Sequence, residues 1–294
     1  VLAELYEDGT ERGLLIQPGN NIGYFGPYEH LWRGSGDDRI YWTSCNAGQN
    51  TLGIEADGTI KGCPSLPTTP YGGGNIRDKT LKDIWWNTDE LSFTRDRTVN
   101  DLWGYCRSCY YADVCRAGCT WTTSVLFGRA GNNPFCHHRA LDLERQGLRE
   151  RIVQVEAAPG KPFDHGLFEL VLEGADGQAL PVATDQASEN ATTQTANSGS
   201  KSANKSVSTI PLGNSLVQIL PAKKRSRKSS PTTTPAFAPV ELIICRGCNR
   251  HVKTGTEVCP HCDGDVVALN KAYEKKLRED RKAYQRLLKL LAPV

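Results

Sequence analysis

Cys106-Arg107-Ser108-Cys109-Tyr110-Tyr111-Ala112-Asp113-Val114-Cys115-Arg116-Ala117-Gly118-Cys119 is the stretch on which the reading of this chain turns. It has the form C-x2-C-x5-C-x3-C, four thiols within fourteen residues. Thiols at that density are metal ligands, because thiolate is the soft donor that zinc and iron–sulfur clusters select. Working outward, Cys45, Gly58 and Cys63 form C-x12-G-x4-C ahead of the stretch and Cys136 follows it, which makes seven cysteines in one constellation. Seven ligands divide poorly into closed four-thiolate zinc sites, since one would be full and the other short. An iron–sulfur cluster tolerates an open iron, which takes a substrate atom or a non-cysteine ligand. Such spacing also resembles ferredoxin-type wrapping, where successive ligands serve different clusters.

Cys245, Cys248, Cys259 and Cys262 make two C-x2-C pairs ten residues apart. This is the layout of a zinc ribbon, with a closed four-thiolate site whose metal supplies the folding free energy of a small module. His251 and His261 are not expected as ligands, because the thiolates already fill a tetrahedron. Rubredoxin-like iron is the alternative occupant. The total of eleven cysteines is odd and suits a disulfide framework poorly, whereas paired C-x2-C spacing suits reduced thiols in a cytoplasmic protein.

A length of 294 residues leaves room for about two domains. The net charge of +2 provides no global field toward nucleic acid or acidic lipid, so a nucleic acid partner is not expected. No apolar run is long enough for a membrane span, and no secretory signal is recognisable. The chain holds no methionine and opens on Val1-Leu2-Ala3-Glu4-Leu5, which reads as mid-helix and predicts a piece of a longer protein.

The fold class expected is α+β, small and metal-stabilised. All six tryptophans lie in the first 121 residues, which places the main packed body there. Residues 1–12 read as a helix end and a turn, Leu14-Leu15-Ile16 as a short strand, and Pro18 to Pro27 as a Gly/Asn-rich loop. Leu52 to Lys61 is predicted to be a hairpin about Asp57-Gly58. Thr80 is predicted to cap a helix with Leu81, Ile84 and Trp85 on one face. From His138 to Val155 the apolar spacing predicts a helix, and Leu167 to Leu172 a strand. Residues 182–236 are rich in Ser, Thr, Asn and Gln, the composition of a disordered linker. That segment holds the apolar island Ser215–Leu220 and the basic run Lys223–Lys228, read as a solvated stretch rather than an address signal. Residues 237–265 form the ribbon. Residues 266–294 form an amphipathic helix whose stripe Val266, Leu269, Tyr273, Leu277, Tyr284, Leu288 and Leu291 is expected to fold back on its own domain.

With Gly62-Cys63-Pro64, Gly73-Gly74-Asn75-Ile76 and Asn133-Pro134-Phe135-Cys136-His137 added, the seven cysteines and Gly58 resemble the SPASM domain over Cys45 to Cys136. SPASM is the auxiliary-cluster domain of radical S-adenosylmethionine (radical SAM) enzymes that modify peptides and proteins. The resemblance implies residues 1–40 as the end of a partial (β/α) barrel, 41–140 as the SPASM domain and 141–181 as a helix and strand extension. It implies two 4Fe-4S clusters: auxiliary cluster I on Cys45, Cys63 and Cys119, and auxiliary cluster II on Cys106, Cys109, Cys115 and Cys136. The first is one thiolate short, with His137 and His138 the nearest imidazoles in sequence. The loop Pro18–Pro27 is either at the barrel mouth or a structural turn.

The resemblance further implies a peptide or protein substrate, an electron donor such as flavodoxin or ferredoxin, and, in a parent enzyme, S-adenosylmethionine with a third 4Fe-4S cluster. The C-x3-C-x2-C loop that binds that third cluster is missing, since Cys115-x3-Cys119 is followed by Thr122 where the third cysteine would stand. By itself the chain is therefore not expected to generate a radical. The competing expectation is a non-enzymatic zinc-binding adaptor with structural zinc in both cysteine groups.

Overall fold

The computed structural model describes residues 2–14, 16–19, 22–160, 165–180 and 240–291. The linker expected over 182–236, with its apolar island and basic run, lies outside the described residues. Residues 1–183 and 239–294 belong to one compact unit.

Helix α1 (Leu2–Glu11) opens the chain and α2 (Glu29–Gly34) follows the Gly/Asn-rich loop. Of the strand expected at Leu14–Ile16, Leu15 lies outside the described residues, and neither Leu14 nor Ile16 is in a strand. The Leu14 amide donates to the Gly9 carbonyl at 2.8 Å, and Ile16 packs against Gly9. Residues 1–40 contain no strand among the described residues.

The Asp57-Gly58 turn does form a hairpin. Strand β1 (Gly53–Ile54) pairs antiparallel with β2 (Thr59–Lys61), Ile54 opposite Ile60. After a short turn, α3 (Thr68–Tyr71), strand β3 (Gly72–Asn75) adds on the far side of β2. Thr80 accepts from the Asp83 amide and so caps α4 (Leu81–Asn87), with α5 (Asp89–Ser92) directly after it. Ile60, Ile84 and Leu91 meet with no exposed surface and join sheet to helices. Of the three residues predicted on that face, Ile84 and Trp85 pack there while Leu81 is 46% exposed.

Beyond a 3-10 turn at Val99–Asp101, capped by Thr98, the cysteine-rich stretch is cut into short helices. These are α6 (Tyr105–Ser108), α7 (Ala112–Cys115) and α8 (Thr120–Phe127). Then α9 (His137–Arg145) gives way to β4 (Leu148–Glu156), which pairs antiparallel with β5 (Leu167–Gly174). The strand near Leu167–Leu172 was legible, but the helix predicted through Val155 stops ten residues early. Gly147, at φ 70°, takes the left-handed conformation that ends a helix, and Ile152, Val153 and Val155 prefer the pleated surface. Glu173 then fixes the register by accepting from Arg149 and Arg151 at 2.8 and 2.7 Å.

The last elements are β6 (Leu242–Ile244), β7 (His251–Lys253) and α10 (Val266–Leu291). Val266 is buried against Cys245, Val252 and Cys259, and Leu269 packs beside them. From Lys271 to Leu287 every residue is exposed, so the stripe expected to fold back faces solvent over Tyr273, Leu277 and Tyr284. A helix of 26 residues is about 39 Å long and outruns so small a module. No helix among the described residues is long and apolar enough to cross a membrane. The described residues form a mixed α/β assembly of mostly short helices and small sheets, with no closed barrel among them.

Candidate metal centres

All eleven cysteines are free thiols. Cys106, Cys109, Cys115 and Cys136 line one small cavity together with Tyr24, Phe25, Tyr111 and His138. Short elements deliver them: Cys106 on α6, Cys109 just past its end, Cys115 at the end of α7, and Cys136 capping α9. Backbone amides point at the sulfurs, Tyr111 N–H at Cys109 and Asn133 N–H at Cys106, each at 3.4 Å. Burial pushes every one of these thiols up, Cys109 to about 12 and Cys136 to about 11, and neighbouring sulfurs add to the rise of Cys109, Cys115 and Cys136. As neutral thiols the four are buried at little cost, whereas as thiolates they would need a cationic core to offset their desolvation. The donor set and its amide contacts fit an iron–sulfur cluster.

Arg139 stands behind this cavity, 2% exposed. It pairs with Glu150 at 2.5 Å and donates to the Asn133 carbonyl at 3.1 Å, tying β4 to the loop before Cys136. Its positive charge opposes the rise of the Cys106 thiol, though burial dominates.

Cys45, Cys63 and Cys119 gather separately. Cys45 and Cys119 act on one another, and their interaction lowers the Cys45 thiol and raises that of Cys119. Cys119 is the N-cap of α8, and the Thr120 and Thr122 amides of the first turn face Cys45 and Cys119. Unpaired amides at a helix start stabilise thiolate. Cys63 packs into the same apolar cluster as Cys45, beside Trp42, Tyr71 and Phe93. Lys61 pins the turn that carries it: buried to 1% exposure, it donates to the Leu66 and Pro64 carbonyls at 2.5 and 3.3 Å and pairs with Glu55.

The two groups share walls. Tyr24 lines the cavity of the four thiols, and its hydroxyl accepts from the Cys119 amide at 3.1 Å. Trp42 packs with the Cys45 cluster, and its indole N–H donates to the Cys115 carbonyl at 3.3 Å. The two rings lie 4.8 Å apart, with the Arg33 guanidinium about equally distant from both. Glu29 organises this corner, accepting from the Phe25 and Trp42 amides at 3.0 Å and from Arg33 at 2.8 Å. Burial raises the Glu29 carboxyl, and Arg33 with the two amides pulls it back.

The Gly/Asn-rich loop is thus part of the cluster body, supplying Tyr24 and Phe25. Its glycines are required by close approach, since a Cβ on Gly23 or Gly26 would stand 2.7 or 2.8 Å from His137. His138 belongs to the wall of the four-thiol cavity. Tyr24, Trp42, Glu29, Tyr111 and Arg139 were not singled out from sequence. The one available signal was an aromatic pair, Tyr24-Phe25, enclosed by glycines.

The remaining sulfurs, of Cys245, Cys248, Cys259 and Cys262, lie within 4.8 Å of one another. The separations are 3.8 Å for Cys245–Cys262 and 3.7 Å for Cys248–Cys259. Four sulfurs about 2.3 Å from one central ion stand about 3.8 Å apart on a tetrahedron. A four-iron core places each sulfur on a different iron and spreads them further. The quartet therefore fits a single tetrahedral ion.

Among known families, residues 45–110 match SPASM, an iron-sulfur cluster-binding domain. That span includes Cys45, Cys63, Cys106 and Cys109, while Cys115, Cys119 and Cys136 follow it. No curated protein and no solved structure matches the chain. Cysteine spacing and a cavity lined by thiols agree with the family match, which assigns residues 45–110 to a SPASM iron–sulfur cluster-binding domain.

Proposed function

We infer that this chain is the auxiliary-cluster region of a radical SAM maturase that modifies a ribosomally made peptide or protein in the cytoplasm. The single observation that carries the reading is the convergence of Cys106, Cys109, Cys115 and Cys136 on one buried cavity within a chain that carries SPASM. In this reading those four hold one 4Fe-4S cluster, and Cys45, Cys63 and Cys119 hold a second with an open iron. Clusters so bound supply single-electron transfer, and an open iron supplies a point of attachment for a substrate thiolate.

The chain's own residues set the conditions for that chemistry. Tyr24 lines the four-thiol cavity and Trp42 packs with the Cys45 group, so these two touching rings would lie along the path of an electron passing between clusters held in the two groups. The Tyr111 and Asn133 amides stabilise negative charge on sulfur in the four-thiol group, and the α8 amides do so in the other. Thr122 stands where a radical-generating loop would need its third cysteine, so S-adenosylmethionine and its cluster belong to a partner segment. A reduced carrier such as flavodoxin or ferredoxin is the electron donor. The quartet at 245–262 is assigned one zinc, on its compact sulfur tetrahedron.

Anaerobic reconstitution of the whole chain should yield about eight irons and about eight sulfides beside one zinc. Cys106→Ala should remove about half the iron, and Cys119→Ala a spectroscopically different half. A colourless protein with tight zinc and no sulfide would instead make the chain a zinc-binding adaptor.

A further inference from the structure

The zinc-ribbon module is built against the wall of the four-thiol cavity. Tyr111, with no exposed surface, stacks on Phe25 at 4.1 Å and lines that cavity. Its hydroxyl donates to the His251 carbonyl at 2.5 Å and lies 2.8 Å from His261 Nε2. His138, in the same wall, accepts from the Arg250 guanidinium at 2.5 Å. Around this seam, Tyr110 accepts from the Lys253 amide and Lys253 pairs with Asp113, both at 2.9 Å.

These contacts run from sulfur to sulfur. The Tyr111 amide donates to Cys109 and the His261 amide to Cys259, each at 3.4 Å, so two residues in contact join a front-half thiol to a quartet thiol. A parallel line runs from Cys248, which accepts from the Arg250 amide, through Arg250 to His138, two residues past Cys136. Neither His261 nor Arg250 is needed by the quartet as a ligand; each is aimed the other way. A module of about 25 residues, whose small core of Val252 and Val266 is built around the quartet's own Cys245 and Cys259, depends on its metal to hold such side chains in place.

We propose that the four-cysteine module is the cover of the four-thiol cluster site: metal in its quartet holds His261 and Arg250 against Tyr111 and His138 and so shuts solvent out of that site. His261 and Arg250 are positioning residues, acting through Tyr111 and His138. The proposal rests on the reading that the cavity holds a cluster and the quartet a single ion. It adds that the two are linked, and that the linkage spares the Cys45 group.

The test uses the whole chain, reconstituted without oxygen, as wild type, His261→Ala and Cys259→Ser. His261→Ala keeps all four quartet sulfurs, whereas Cys259→Ser breaks the quartet. Zinc and iron per chain are measured first. The loss of each cluster's paramagnetic signature is then followed during exposure to air. His261→Ala should keep wild-type zinc and iron, yet lose the four-thiol cluster at least about threefold faster, with the other cluster unchanged. Cys259→Ser should lose zinc and show the same selective effect, more strongly. Wild-type rates in both variants, or equal acceleration of both clusters, would overturn the proposal. A wild-type chain without iron would instead defeat the reading beneath it, so the two failures are distinguishable.

Discussion

Glu29 shows what a single side chain does for this site. Its two oxygens receive the Phe25 and Trp42 amides and the Arg33 guanidinium, and so hold the loop, α2 and the segment leading to Cys45 at one point. Glu29→Ala would strand the buried Phe25 amide and the half-buried Trp42 amide and leave Arg33, 12% exposed, without its carboxylate. We expect a loss of about 3 kcal/mol, read from the urea midpoint under anaerobic conditions. A loss below about 1 kcal/mol would mean that the corner is held by its aromatic packing alone. Nothing in the sequence marks Glu29, because in sequence it is only one acid four residues before an arginine. The cysteines were legible because their role is local: C-x2-C brings two sulfurs to one turn whatever surrounds them. Residues that act across the fold, such as Arg139 reaching Glu150 or Tyr111 reaching His261, leave no spacing to read.

At the scale of elements, turn chemistry was the reliable guide and apolar spacing was not. Asp57-Gly58 and Thr80 fixed a hairpin and a helix start where expected, because each satisfies specific backbone groups. The spacing of Leu141, Leu148, Ile152 and Val155 fitted a helix, yet Gly147 broke it and pairing with β5 claimed the rest. A comparison of two glycines separates backbone strain from close approach. Gly118 and Gly128 both sit near φ +65°, but a Cβ on Gly118 would lie 2.5 Å from the Tyr24 ring, while one on Gly128 meets nothing within 4 Å. Gly128→Ala should cost about 1 kcal/mol, the left-handed penalty alone. Gly118→Ala should cost at least about 2 kcal/mol more and loosen the Tyr24 contact with the Cys119 amide. Equal losses, measured by denaturant midpoint, would show that Tyr24 yields freely.

For the whole molecule, the main feature that sequence did not foretell is that the four-cysteine module and the front half belong to one compact unit. They are separated by more than fifty residues of chain, and only side chains scattered over both, such as Tyr41, Tyr110, Arg246 and Lys253, record the contact. Packing between distant segments is set by shape, which no short pattern encodes. The central claim is that iron–sulfur clusters fill the front-half thiols while a different metal fills the quartet. Anomalous diffraction from crystals of the anaerobic whole chain, collected at the iron and zinc edges, tests it directly. The account predicts iron density enclosed by Cys106, Cys109, Cys115 and Cys136, iron again beside Cys45, Cys63 and Cys119, and one zinc peak within Cys245, Cys248, Cys259 and Cys262. Zinc alone at all three positions would contradict it.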